Sequence, residues 1–205
     1  MCKIINKSIG GFDYEYKLDE KDRPIEIHRL RKDGTKEFVA LYEYYGDILK
    51  YYKREDGYES NRDIVDGKVV RDYDNQGNEI KFIYDNRGNI IEKIINTQSR
   101  KETHYFEFDD LNRLTKMQVA GGYTKYYTYY GDTNNVKHDE DSMGMEYDYY
   151  ENGTVKSHRD KTNGIAYTME YYDNGIVKRY IDNTGTIIDY NEDSSIKNIT
   201  KPDNK

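Results

Sequence analysis

Three stretches, Tyr84-Asp-Asn-Arg-Gly88, Tyr149-Tyr-Glu-Asn-Gly153 and Tyr171-Tyr-Asp-Asn-Gly175, follow one pattern in which an aromatic residue precedes a polar turn that contains glycine. Looser copies of the pattern occur along most of the chain. A motif that recurs at a nearly fixed interval is typical of a fold in which one small supersecondary unit is stacked many times. The repeat therefore predicts the architecture before any single residue is interpreted.

We call the last aromatic or apolar residue before each turn the anchor. From Tyr84 onward the anchors are 24, 21, 20, 22 and 19 residues apart, whereas Tyr73 and Tyr84 are 11 apart, which indicates a half unit. A second large side chain stands two residues before the anchor, as Tyr147 does before Tyr149, and Arg71 is the exception. Alternation at every second residue is the period of a strand with one buried face, so we expect all anchors to point inward. The anchors are Leu18, Tyr44, Tyr73, Tyr84, Phe108, Tyr129, Tyr149, Tyr171 and Tyr190.

A second strand is predicted after each turn. Asp, Asn, Gly and Glu fill three or four positions after the anchor, and these residues favour tight reversals. An apolar residue follows each turn, and the segments between turns are too short for a helical crossover. The sequence therefore predicts an all-β fold, an elongated array of stacked antiparallel β-hairpins of about 20 residues each, arranged as an open twisted sheet or a partial spiral. The apolar residues that begin the second strands are Ile90, Leu114, Val136, Val155, Val177 and Ile196.

Stacking also determines the expected domain organisation. A lone hairpin buries too little apolar area to offset the entropy of ordering it, so stability must accumulate between neighbouring copies. No linker interrupts the repeats, which indicates a single domain over residues 14–193. We expect residues 1–13 to form an N-terminal cap and residues 194–205 a polar C-terminal cap and tail.

The charge of the chain limits its partners. The formal net charge is −7 and the sequence pI is about 5.2. Proteins that bind the phosphate backbone need a basic surface, so a nucleic-acid partner is not expected. An acidic surface favours a basic protein partner instead. Asp139, Glu140 and Asp141 form the candidate protein-binding patch, and a solvated loop is the alternative interpretation of this cluster.

No motif for catalysis, cofactor binding or metal binding occurs. The sequence lacks nucleophile elbows, paired zinc-ligand histidines and glycine-rich phosphate loops. The four histidines, His28, His104, His138 and His158, are not spaced as metal ligands. We therefore expect no catalytic residues, no cofactor and no metal site, and we interpret the protein as non-enzymatic.

The termini and the cysteine content indicate the compartment. Residues 1–11 lack the apolar core of a secretory signal, and the sequence contains no run of 18 apolar residues that would predict a membrane helix. The single cysteine, Cys2, excludes an internal disulfide framework and fits a reducing environment. These features predict a cytoplasmic protein without membrane segments.

The repeat resembles two known families. Tyr84-Asp-Asn-Arg-Gly-Asn-Ile90 and Phe108-Asp-Asp-Leu-Asn-Arg-Leu114 are similar to the YD repeat of the Rhs family. Tyr149-Tyr-Glu-Asn-Gly-Thr-Val-Lys156 and Tyr171-Tyr-Asp-Asn-Gly-Ile-Val-Lys178 resemble the repeat of MORN-like YwqK-type antitoxin proteins. The Rhs resemblance implies a β-sheet spiral of the kind that can enclose a toxin. The positions that match are scaffold positions in both families.

Two functional hypotheses follow from these features. In the first, the chain binds another protein through an acidic, tyrosine-rich β surface, as an immunity protein, an antitoxin or a phage-encoded inhibitor. In the second, it is a structural component of a phage tail or of an Rhs-type assembly. The repeat pattern leaves the oligomeric state open.

Overall fold

A computed structural model describes residues 2–202. These residues form 19 β-strands, and no helix occurs among them. The predicted all-β class is therefore confirmed. The strands are β1 Lys3–Ile9, β2 Phe12–Leu18, β3 Pro24–Leu30, β4 Lys36–Tyr45, β5 Ile48–Arg54, β6 Glu59–Val65, β7 Lys68–Asp74, β8 Glu79–Tyr84, β9 Ile90–Asn96, β10 Lys101–Phe108, β11 Leu114–Val119, β12 Thr124–Tyr129, β13 Val136–Asp141, β14 Met145–Tyr149, β15 Val155–Asp160, β16 Ile165–Tyr171, β17 Val177–Asp182, β18 Ile187–Tyr190 and β19 Ile196–Thr200.

The chain divides into two compact units. Unit 1 consists of residues 1–84 and 92–103, and unit 2 of residues 85–91 and 104–205. In unit 1, each strand from β1 to β8 pairs antiparallel with the next strand along the chain. In unit 2, the strands from β10 to β19 pair in the same way. The predicted array of stacked antiparallel hairpins is thus present in each unit.

The repeat motif marks the strand boundaries as the sequence predicts. Seven anchors are the last residues of their strands, and the predicted apolar residues begin the strands that follow. The Asp of the Tyr-Asp motif closes the turn. Oδ1 of Asp85 accepts hydrogen bonds from the backbone N–H groups of Arg87 (2.9 Å) and Asn89 (2.8 Å). Asx turns of this kind satisfy backbone donors that the strand ladder leaves unpaired.

In unit 2, each hairpin whose first strand ends at an anchor contains a β-bulge. Tyr149 pairs with Val155 and Asp148 pairs with Ser157, so Lys156 has no residue opposite it. The same register shift recurs at the other anchors of unit 2. An unpaired residue of this kind increases the local twist and changes which later side chains share a face.

Tyrosine hydroxyls connect neighbouring hairpins. The hydroxyls of four anchors donate to a carbonyl oxygen near the start of a strand in the preceding hairpin. The hydroxyls of three tyrosines that directly follow an anchor donate to a carbonyl oxygen of the next hairpin. The backward bonds are Tyr44 to Pro24 (3.1 Å), Tyr84 to Val69 (2.8 Å), Tyr129 to Leu114 (2.7 Å) and Tyr171 to Val155 (2.9 Å); the forward bonds are Tyr130 to Tyr149 (2.5 Å), Tyr150 to Met169 (3.1 Å) and Tyr172 to Tyr190 (2.8 Å).

Lining up the repeat copies predicts the wrong orientation for one anchor, Tyr73. In the registers of unit 1, Tyr52 pairs with Ser60 and Ser60 with Asp74, whereas Tyr73 pairs with Asn61. Tyr73 therefore points to the face opposite Tyr52. Its Asp-Asn-Gln-Gly turn lies at the other end of the strands, between β7 and β8, which explains the half-unit spacing and the exception at Arg71.

Few side chains are fully buried. Among the described residues the buried apolar side chains are Leu18, Ala40 and Ile95, and the buried polar ones are Thr124, Asp139 and Asp160. Within each unit, the described strands with the most extensive contacts are those that follow one another in the chain. The predicted N-terminal cap contains β1 and the predicted C-terminal cap contains β19, while Met1 and residues 203–205 lie outside the described part.

Candidate protein-binding face

The three residues of the predicted acidic patch do not share one surface. Asp139 is only 5% exposed and pairs in register with Tyr147. Both lie on the face of unit 2 that carries the anchors Tyr149 and Tyr171, which we call the aromatic face. Glu140 pairs with Glu146 and lies on the opposite face. Asp141 closes a turn, because its Oδ1 accepts the backbone N–H of Met143 at 2.9 Å. Their role in binding a partner remains a prediction, and Glu140 lies on the side of β13 opposite Asp139 and Asp141.

Asp139 is held by two partners on the aromatic face. Nζ of Lys125 lies 3.0 Å from its Oδ1, and the hydroxyl of Tyr149 donates to its Oδ2 at 2.8 Å. Burial raises the pKa of the Tyr149 hydroxyl, and the hydrogen bond to Asp139 raises it further. Burial alone would lower the pKa of Lys125, but the hydrogen bond and the charge of Asp139 outweigh it and raise that pKa. Asp139 is therefore a satisfied structural carboxylate.

A row of neighbouring rings, tilted against one another by 32° to 48°, crosses four strands of unit 2. Tyr147 lies 4.4 Å from His158 between ring centroids, His158 lies 5.0 Å from Tyr167, and Tyr167 lies 5.3 Å from Tyr180. We call these four residues the tyrosine strip. The strip runs from β14 to β17 on the aromatic face, and each of its side chains is half-buried.

The hydroxyls of the strip differ from those of the anchors. Tyr149 and Tyr171 use their hydroxyls to hold Asp139 and the carbonyl of Val155. The hydroxyls of Tyr147, Tyr167 and Tyr180 take part in no hydrogen bond with any described residue, and the buried Nδ1 of His158 has no partner there either. The three hydroxyls are not among the buried unpartnered atoms, so they can donate to and accept from water or a ligand, whereas Nδ1 of His158 is enclosed.

The opposite face of unit 2 carries cross-strand polar pairs. Asp148 contacts Nδ1 of His138 at 2.9 Å and accepts a hydrogen bond from the Ser157 hydroxyl at 2.7 Å. Arg179 pairs with Asp189 at 2.7 Å. Exposed pairs of this kind contribute little to stability, and they leave few charges on this face without a partner.

No three His, Cys, Asp or Glu side chains among residues 2–202 are arranged to hold a metal ion. That segment also has no helix of the length and apolarity that crossing a membrane requires.

The sequence predicted half of the strip. Tyr147 and Tyr167 belong to the predicted inward columns, whereas His158 and Tyr180 lie on the second strands of their hairpins and were not identified. Counting every second residue from Val155 places Ser157 inward. The bulge at Lys156 reverses this parity, so the structure places His158 there instead. Allowing for a register shift after each anchor would have placed His158 and Tyr180 on the aromatic face.

The sequence matches no protein-family model and no curated protein. Solved structures are similar in fold. The crystal structure of TcdB2-TccC3-Cdc42 matches with a TM-score of 0.52 and 12% identity over 88% of this chain and 13% of that chain. The crystal structure of TcdB2-TccC3 matches with a TM-score of 0.51 and 11% identity, with the same coverage of both chains.

The likeness at these identities is one of fold. The chain spans 13% of the length of these two structures. TcdB2-TccC3 is a Tc toxin protein with Rhs/YD repeats, so the resemblance of the Tyr84 and Phe108 motifs to Rhs repeats has a counterpart in three dimensions. The chain is a repeated antiparallel β-hairpin array similar in fold to Rhs/YD-repeat proteins.

Proposed function

We propose that this chain is a non-enzymatic repeat protein that binds another protein through the tyrosine strip of unit 2. The observation that carries the proposal is the row of half-buried neighbouring rings whose three tyrosine hydroxyls form no hydrogen bond with any described residue. Tyrosine supplies large contact area, a rigid ring and a hydrogen-bonding group, and it is enriched at the centres of protein interfaces. The hydroxyls that stabilise the fold belong to other tyrosines, so the strip is available to a partner.

The charge distribution supports a basic partner. Unit 1 has 19 Lys and Arg against 20 Asp and Glu, whereas unit 2 has 13 against 19, in agreement with totals of 32 and 39 for the chain. The negative charge therefore resides almost entirely in the unit that carries the strip. Charge complementarity of this kind increases association rates and selects against partners of the same sign.

Within this class we propose a cytoplasmic immunity protein, antitoxin or phage-encoded inhibitor. The support is the similarity of the Tyr149 and Tyr171 motifs to YwqK-type repeats and the absence of a recognisable reaction motif in the sequence.

The test is affinity capture from host cells with three forms of the protein. One is the natural chain, and the second is the strip variant Tyr147→Phe/Tyr167→Phe/Tyr180→Phe. The third is a control variant, Glu170→Gln, which removes an exposed charge from the opposite face. We expect a stoichiometric protein to be captured by the natural chain and the control and to be reduced with the strip variant. Equal capture by all three forms, or no stoichiometric protein with any of them, would contradict the proposal.

A structural role in an Rhs-type or phage-tail assembly is the second candidate. The fold similarity to TcdB2-TccC3 favours it. In that case the chain would associate with itself or with other repeats, and light scattering would show oligomers that grow with protein concentration. A monomer at all concentrations would count against this role.

A further inference from the structure

Several tyrosine rings of the chain have a Lys or Arg over them, a contact that lowers the free energy through the ring quadrupole. No such contact is made to Tyr147, Tyr167 or Tyr180 by any described residue. Examples of covered rings are Tyr44 by Arg23 (4.1 Å), Tyr58 by Arg54 (4.7 Å), Tyr84 by Lys68 (5.2 Å), Tyr127 by Lys125 (5.2 Å) and Tyr129 by Arg113 (4.6 Å).

Three carboxylates lie on the same face as the strip: Asp139 and Asp160 are buried with partners of their own, and Asp182 is half-buried. Asp139 pairs in register with Tyr147, and Asp182 pairs with Tyr167. Asp160 lies two residues after His158 on the same side of β15. Hydrogen bonds lower the pKa of Asp160 and of Asp182, so both carry a negative charge at neutral pH. Lys125 shares this face, and its charge is already paired with Asp139.

We propose that the strip binds an extended, arginine-rich segment of the partner protein, lying across β14 to β17. This inference rests on the proposed function, which it narrows to one partner chemistry. The partner's guanidinium groups supply the cations that the strip rings lack and donate hydrogen bonds to the free hydroxyls. The half-buried carboxylate of Asp182 and the net negative charge of unit 2 provide the opposite charge.

The dimensions of the strip fit such a segment. Neighbouring strands are about 4.8 Å apart, so the three intervals from β14 to β17 span about 14 Å. An extended chain advances about 3.3 Å per residue, so about four residues cross the strip. Their alternate side chains point to the same side, which brings two arginines over the rings.

Arginine fits this surface better than lysine. Its planar guanidinium stacks on aromatic rings and has five N–H donors, whereas an ammonium is a strongly hydrated point charge. The strip offers rings and hydroxyls beside the half-buried carboxylate of Asp182, and a guanidinium can contact all three. A preference for arginine over lysine therefore separates this binding mode from simple attraction to an acidic protein.

The test uses oligoarginine, oligolysine and oligoglutamate peptides of equal length, with binding measured by calorimetry and by tyrosine fluorescence. We expect oligoarginine to bind more tightly than oligolysine and oligoglutamate not to bind. Each lost hydrogen bond to a charged group costs about tenfold in affinity or more, so Tyr147→Phe/Tyr167→Phe/Tyr180→Phe should weaken oligoarginine binding by at least about tenfold. The control Glu170→Gln should change it by less than about threefold, because Glu170 is exposed on the opposite face and exposed charges interact weakly.

Equal affinity of the natural chain and the strip variant for oligoarginine would overturn the inference, as would equal affinity for oligolysine and oligoarginine. If the triple variant does not fold, the test is repeated with the single variant Tyr180→Phe, which removes one hydroxyl of the strip. Competition separates the two proposals. If the strip is required to capture a protein but oligoarginine does not compete with it, protein binding by the strip stands and the arginine-rich segment is excluded.

Discussion

The hydroxyl of Tyr149 donates a hydrogen bond of 2.8 Å to Oδ2 of Asp139, a carboxylate that is only 5% exposed. Tyr171, the corresponding anchor of the next hairpin, uses its hydroxyl for a backbone carbonyl instead. The Tyr149 hydroxyl therefore satisfies a buried carboxylate oxygen, where the corresponding Tyr171 hydroxyl satisfies a backbone carbonyl. A buried carboxylate requires such donors because the desolvation of an unpaired charge is costly.

Replacing Tyr149 by Phe should destabilise the protein. The change removes the hydroxyl that donates to Oδ2 of Asp139 and leaves this buried oxygen without that hydrogen bond. We expect the free energy of unfolding to fall by about 1–3 kcal/mol. Urea denaturation followed by circular dichroism measures this loss. Tyr147→Phe is the matched control in the same strand, and it should change stability by less than about 0.5 kcal/mol because its hydroxyl has no partner. Similar losses for the two variants would contradict the assigned roles.

The repeat motif predicted the fold well because turn chemistry is local. The Asp85 carboxylate accepts hydrogen bonds from backbone N–H groups within four residues of it, so the local sequence determines where β8 ends and β9 begins. Tyr73 shows the limit of this reasoning. Its turn has the same composition, but the end of the sheet at which a turn lies depends on how many strands precede it.

The candidate site was harder to predict because it depends on register. The cluster at Asp139, Glu140 and Asp141 is contiguous in the sequence, yet consecutive residues of a strand point to opposite faces. His158 and Tyr180 join the strip only because bulges shift the parity of β15 and β17. Composition indicates a tyrosine-rich surface, but pairing between strands determines which tyrosines form it.

Replacing Tyr172 by Phe should loosen the last hairpin of unit 2. The Tyr172 hydroxyl donates to the carbonyl of Tyr190 at 2.8 Å, which joins the β16–β17 turn to β18. Without this bond, amides of β18 and β19 should exchange with deuterium faster than in the natural chain, as measured by mass spectrometry. Tyr180→Phe serves as the control, since its hydroxyl is free. If protection of β18 and β19 is unchanged in Tyr172→Phe, the forward bond does not stabilise the repeat.

Gly175 should tolerate alanine poorly. Its φ is +82°, a left-handed conformation that costs an L-residue about 1–2 kcal/mol, and a Cβ there would meet no atom within 4 Å. Backbone strain is thus the only expected cause of a loss. Gly122 is the control, because a Cβ there also meets nothing within 4 Å and its φ is not in the left-handed region. Thermal unfolding should show a lower midpoint for Gly175→Ala than for Gly122→Ala, and equal midpoints would refute the argument.

Asp160 should contribute to stability in a defined pH range. Its carboxylate is 3% exposed and accepts hydrogen bonds from the backbone of Thr162 and from both the backbone and the side chain of Asn163. The side-chain bond from Asn163 is the largest cause of its lowered pKa. A carboxyl whose pKa is lower in the folded state than in the unfolded chain stabilises the fold above the unfolded value, about 3.9. That contribution is lost as the pH falls through the folded pKa.

Asp160→Asn should therefore reduce the unfolding midpoint at pH 7 and flatten the decline in stability below about pH 4, since the variant has no proton to bind there. Asp173→Asn is the control, because Asp173 is exposed and forms no hydrogen bond with the described residues. Its pH profile should match that of the natural chain. Unfolding midpoints measured between pH 2 and pH 7 for the three proteins decide the matter. If the Asp160→Asn profile falls in parallel with that of the natural chain below pH 4, the acid sensitivity arises from other carboxylates and the turn at Asp160 makes no pH-dependent contribution.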